Sequence, residues 1–191
     1  MKRTISAMAT ASLLSSCAMA PVPVQTASIS AVNAIDAAHL PPIRLGSFRL
    51  SPALPADRDR SLAVRAATIR PEGGSFSNYL RRTIESQLTA AGRLDTTSDV
   101  SDYVLNGEMI ANEVGSGIGE NAGHGLIAVD FTLTHGGTVT FHKTIRADAR
   151  WNSSFIGGVA IPAAERNYMA LYPEILSKLF ADQDLGTALH G

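Results

Sequence analysis

Apolar and polar residues alternate most clearly in the second half of the chain. Between Tyr103 and Ala111 the residues Tyr103, Leu105, Gly107 and Met109 share one side, and Asn106 and Glu108 the other. Ile127, Val129, Phe131 and Leu133 then alternate with Ala128, Asp130, Thr132 and Thr134. A period of two with one apolar face predicts half-buried antiparallel strands. His135-Gly136-Gly137-Thr138 predicts a tight hairpin turn, because glycine takes the positive φ values such turns require. A long return strand keeps Val139, Phe141, Ile145, Ala147, Ala149 and Trp151 on one face. Its other face shows Thr140, His142, Thr144, Arg146, Asp148 and Arg150, suited to cross-strand pairing.

The first half carries one strong helical period. After the loop Arg70-Pro71-Glu72-Gly73-Gly74, Ser75 is a good N-cap, and Phe76, Tyr79, Leu80, Ile84, Leu88 and Ala91 recur at helical spacing up to Gly92. The opposite face, with Arg81, Arg82, Glu85 and Ser86, reads as solvated and pairs Arg81 with Glu85. Before the helix, Ser61 to Thr68 alternates Leu62, Val64 and Ala66 with Ala63, Arg65 and Ala67, a strand. Ile43 to Leu50, bracketed by Pro41-Pro42 and Pro52, reads as a short edge strand. A last helical region runs from Ile161-Pro162 to Phe180 and buries Tyr168, Tyr172, Ile175, Leu176, Leu179 and Phe180. Pro173 must kink or split it. The order β-β-α-β-β-β-α predicts an α+β domain: an antiparallel sheet of four to five strands, two helices packed on one face, and a more polar face opposite.

The N-terminus has a different character. Met1-Lys2-Arg3 begins a signal peptide, and Ile5 to Leu14 is an uncharged stretch too short to span a bilayer. Leu14-Ser15-Ser16-Cys17 resembles the lipobox of bacterial lipoproteins, in which the cysteine takes a diacylglyceryl group and then fatty acid such as palmitate. Several acyl chains anchor firmly where one does not. The alternative is cleavage after Ala18-Met19-Ala20, which leaves Pro21, a poor residue to follow a scissile bond. Cys17 is the only cysteine, so an anchored domain has no thiol to mispair in an oxidising compartment. Residues 1–16 are therefore read as signal peptide and 17–39 as lipidated cysteine and flexible tether, rich in Ala, Ser, Pro and Val. Residues 40–191 form the single domain. Within the tether, 29–38 has some capacity for a short helix. Ala18 after the cysteine resembles lipoproteins sent to the outer membrane, facing the periplasm.

The layout of lipobox, Pro-rich segment, the helix Tyr79-Leu80-Arg81 to Arg93-Leu94, and Asp102-Tyr103-Val104-Leu105-Asn106-Gly107 opening a strand resembles LptE-like and ABC-transport auxiliary lipoproteins. The resemblance implies an accessory protein with a membrane-protein or lipid-transport partner. Gly73-Gly74-Ser75-Phe76 and the run Trp151 to Pro162 look like a group of small uncharacterised lipoproteins, some labelled UDP-N-acetylglucosamine acyltransferase. Acyltransferases of that name resemble left-handed β-helices built on hexapeptide repeats, and this chain has neither the repeats nor the length.

Candidate chemistry is sparse. Loss of Lys2 and Arg3 with the signal peptide takes the formal charge from −1 to −3, with no basic face to suggest nucleic acid. His39, His124, His135, His142 and His190 have no metal-ligand spacing, so no metal site and no cofactor are assigned. Ser47, Ser116 and Ser153-Ser154 form no nucleophile motif. Gly115-Ser116-Gly117-Ile118-Gly119 lacks the remaining residues of a phosphate loop and reads as a hairpin loop. No catalytic residue is assigned. The feature that stands out is Trp151 to Ile161, too apolar for an ordinary loop and too glycine-rich for a helix. Either it tucks against the core, or Trp151, Phe155, Ile156, Val159 and Ile161 form a docking surface. Accordingly the first expectation is a non-enzymatic accessory lipoprotein that docks through this segment or the open sheet face. An enzyme acting on envelope glycan or lipid would instead need a pocket near Asp130, His142 and Arg146. A small-molecule carrier would need a cavity beside Ala147 and Ala149.

Overall fold

The computed structural model describes residues 20–97, 102–115 and 121–190. Cys17 and residues 116–120, which include most of the expected hairpin loop Gly115 to Gly119, lie outside them. The chain is α+β, with a helical layer on one face of a four-stranded sheet of order β1-β4-β5-β6. These strands are β1 (Arg44–Leu50), β4 (Tyr103–Gly115), β5 (Ala122–His135) and β6 (Thr138–Asn152). Between β1 and β4 come a short hairpin, β2 (Leu62–Val64) and β3 (Ala67–Ile69), and the helix α2 (Phe76–Ala90). Ser75 caps α2 by accepting the Asn78 N–H at 3.2 Å, and Gly92 follows it at φ 65°, in the left-handed region. The Arg81–Glu85 pair forms at 3.1 Å.

Several finer features differ from the sequence reading. The edge strand β1 runs parallel to β4, making the sheet mixed, because α2 returns the chain before β4 begins. The segment 61–68 is no strand of that sheet. It folds back at Arg65 into the separate β2-β3 pair. Val139, expected on the buried face, is exposed. Leu133 faces Phe141 while Thr134 faces Val139, so one extra residue in β6 reverses the alternation. A similar irregularity between Met109 and Ala111 turns Asn112 onto the core face of β4, fully buried.

The tether is the largest correction. From Val22 onward the chain is part of the fold: the Val22 N–H donates to the Arg70 carbonyl at 2.8 Å, and its own carbonyl accepts the Glu72 N–H at 2.8 Å. A helix, α1 (Ile29–Ala37), is capped by Ser28 and buries Ala31 and Ile35, with Leu40 following into the core. The apolar spacing of these residues is adequate for a docked helix, but the surrounding alanines and serines dilute it.

The C-terminal helical region is three helices, α3 (Gly157–Met169), α4 (Leu171–Phe180) and α5 (Gln183–His190). The split falls at Ala170, which places Pro173 in the first turn of α4, where its missing N–H costs nothing. Gly157 and Gly158 open α3, and Pro162 lies inside it. Leu185 and Leu189 bury α5, which brings the His190 imidazole 3.0 Å from the Ala38 carbonyl.

Candidate functional site

The segment 151–161 divides in two. Trp151 is half-buried because its indole lies across Gly123, where an added Cβ would come within 2.2 Å of Nε1. Ile161 also packs against the core. Phe155, Ile156 and Val159 remain 77%, 67% and 56% exposed. Among the described residues the other large hydrophobics so exposed are Ile29 and Val139, each by itself, so this cluster is a surface feature and not a scatter. Of the five residues read as a docking surface, the structure brings three to the surface and withdraws Trp151 and Ile161.

Arg65 holds the cluster in place. Its guanidinium donates to the Phe155 carbonyl at 3.1 Å, the Ser154 carbonyl at 2.7 Å and Ser153 Oγ at 3.3 Å. Arg65 itself takes φ 54° at the tip of the β2-β3 hairpin. That conformation costs a non-glycine residue about 1 kcal/mol, offset here by three charge-assisted bonds. The Ser153 N–H donates to the Asn121 carbonyl at 2.8 Å, and the Ile156 N–H to Ser154 Oγ at 3.1 Å. The backbone under the exposed side chains is thus fixed while the side chains face outward. Arg65 was not legible as a site residue, since its role depends on a contact 90 residues away in sequence.

The other sheet face carries the residues considered for catalysis, and it brings Asp130 and His142 together but not Arg146. Asp130 accepts the Thr144 hydroxyl at 2.5 Å and sits opposite Glu108, whose carboxylate is paired with Arg49. The Arg49 guanidinium holds the Glu108 carboxyl below its ordinary value. His142 faces Thr132 and joins Asp130 in lining a shallow depression of 370 Å³. Arg146 belongs to a neighbouring depression and donates to Asp148 at 3.3 Å. His142→Ala is expected to change the unfolding free energy by no more than about 0.5 kcal/mol, as for other exposed side chains. Chemical denaturation beside the unaltered protein checks this.

Among the helices and against β4, aromatic rings are packed. Phe76 meets Tyr168 edge-on at 5.6 Å, and Tyr79 meets Tyr172 at 4.8 Å. The Tyr168 and Tyr172 hydroxyls lie 3.1 Å apart, and Tyr168 donates to Asn112 Oδ1. Asn112 Nδ2 in turn donates to the Arg58 carbonyl at 2.7 Å, and the Tyr79 hydroxyl to the Pro23 carbonyl at 3.1 Å. These bonds satisfy polar groups that would be costly to bury alone.

With this geometry in view, solved structures can be compared. A Xanthomonas campestris protein of the DUF330 family superposes with a TM-score of 0.56 at 12% sequence identity, covering 89% of this chain and 93% of that one. The chain has the fold of that bacterial protein. A minor lipoprotein from Acinetobacter baumannii aligns less closely, with a TM-score of 0.44 and 16% identity over 75% of this chain and 94% of its own. No family model and no curated protein matches the sequence. Among the described residues no helix is long and apolar enough to cross a membrane.

Proposed function

We propose that the protein is a lipid-anchored accessory protein of the bacterial cell envelope, held at Cys17 on the periplasmic face of the outer membrane, and that it serves a membrane-protein or lipid-transport partner. The observation that carries the reading is the lipobox Leu14-Ser15-Ser16-Cys17 placed immediately before a domain that is ordered from Val22. The likeness in layout to LptE-like and ABC-transport auxiliary lipoproteins supports the partner class. The face of the sheet that carries the ion pairs Arg49–Glu108 and Arg146–Asp148 offers a polar docking surface that no helix among the described residues covers. Surface pairs of this kind stabilise a fold little and remain free to be re-formed with a partner.

The experiment is intact mass and membrane fractionation of the full-length protein beside Cys17→Ala. The expected result is a triacylated, membrane-bound protein and an uncleaved or soluble variant. Two soluble proteins ending at another residue would remove the anchor and with it this function.

A further inference from the structure

Val22, five residues after Cys17, and the exposed cluster at 155–159 are joined through the β2-β3 hairpin. From Cys17 to Val22 the chain makes five residue steps, at most about 18 Å when extended. Val22 is bonded to Arg70 and Glu72, at the base of the β2-β3 hairpin. Arg65 at the tip of that hairpin holds the carbonyls of Ser154 and Phe155. Pro71, which pairs with Val22, is six residues along the chain from Arg65, so the two points are separated by at most about 20 Å. Cys17 is therefore within about 40 Å of Arg65, a span that lets the anchor and Phe155 meet one bilayer surface.

The surface between these points is suited to a lipid headgroup layer. Ala63 and Ala66 are exposed along the hairpin, and Arg60 and Arg70 are exposed at its base. The chain from Trp151 through Ala164 carries no charged residue at all, so nothing near Phe155, Ile156 and Val159 in sequence opposes their entry into an apolar phase. Of the nearby acids, Glu72 is engaged by the Val24 N–H at 3.1 Å and by Arg82 at 3.7 Å, Asp59 accepts the Ser77 N–H and hydroxyl, each at 2.8 Å, and Asp57 is exposed beside Arg58. Exposed apolar side chains and cations on one surface are what an interfacial membrane surface presents.

We infer that Phe155, Ile156 and Val159 insert into the bilayer surface that holds the lipid anchor, so that the domain is seated on the membrane by two contacts. The inference rests on acylation of Cys17, as proposed above. It assigns the 155–159 cluster to phospholipid and leaves the bare sheet face for the partner. A domain seated in this way keeps one orientation, whereas a long free tether would let it tumble.

The test uses the acylated full-length protein, in which the thioether at Cys17 leaves no free thiol. Phe155→Cys or Val139→Cys then supplies a single site for an environment-sensitive nitrobenzoxadiazole label. The protein is reconstituted in phosphatidylethanolamine–phosphatidylglycerol vesicles with or without doxyl-labelled phospholipid. Val139 is exposed at the opposite end of β6, twelve residues or about 40 Å from Trp151. The label at 155 is expected to be quenched roughly threefold by the lipid nitroxide, as befits a group seated at the acyl boundary, and the label at 139 hardly at all. Vesicle-bound protein with both labels unquenched overturns the insertion and assigns the cluster to a protein surface, while the anchor stands. Protein that fails to stay with the vesicles, with Cys17 unmodified by mass, overturns the anchor and the insertion together.

Discussion

Phe131→Asp yields a chain without a cooperative thermal transition. Phe131 is fully buried at the centre of β5, opposite Gly107 on β4 and Lys143 on β6. Removing its ring from the core costs about 3–5 kcal/mol, in transfer free energy and in the space left behind. The carboxylate adds several kcal/mol more, because the cation opposite, Lys143, is already held by Asp182 at 2.7 Å and Asp184 at 2.8 Å, and a charge set among apolar side chains must either desolvate or be protonated. Together these approach or exceed the ~5–15 kcal/mol that a domain of this size has in total. Leu88→Asp acts in the same way from the buried face of α2. Circular dichroism melts check both. A transition within a few degrees of the unaltered protein would remove Phe131 from the core.

Alkaline pH is expected to unfold the protein steeply. Three of its four tyrosines are fully buried. Burial pushes Tyr79 from 10.0 up to about 12, opposed by a backbone hydrogen bond with Gln25 and reinforced by Glu72. Burial likewise raises Tyr168 and Tyr172 well above the ordinary range. In the unfolded chain all three ionise near their ordinary value, so above it the folded state binds more protons than the unfolded one. Each group therefore contributes its full stabilisation below pH ~10 and loses it as pH rises toward the folded value, which for Tyr79 is about 12. The loss is about 1.4 kcal/mol per pH unit for each tyrosine, or about 4 kcal/mol per unit for the three. Urea denaturation at pH 9, 10 and 11 checks this, and Tyr172→Phe should reduce the slope by about a third. A flat profile would mean that these hydroxyls are in water.

How much of this was legible beforehand varied with the range of the interaction. The helix 76–90 announced itself because its cap, apolar stripe and terminal glycine lie within one short window. The hairpin at Gly136-Gly137 did so because positive φ is a local demand, met there at 55° and 82°. The alternation was read correctly along β5, in β4 as far as Met109 and in β6 from Phe141 onward, and the irregularities at the ends of those stretches were not. A single extra residue exchanges the two faces of a strand, and nothing in the local composition marks where it falls. Asn112 is the consequence: a polar residue on the core face, tolerated because Tyr168 and the Arg58 carbonyl, both distant in sequence, satisfy its amide.

By itself the amino-acid sequence determined the lipobox, the α+β class, the buried face of α2 and the apolar character of 151–161. Only the tertiary structure decided that β1 pairs in parallel, that the segment from Val22 docks instead of trailing, and that Phe155, Ile156 and Val159 stay exposed while Trp151 and Ile161 do not. The physical reason is that apolar residues within one segment look equivalent until their partners are known. Gly123 makes room for one ring, and Arg65 holds the backbone that turns another outward.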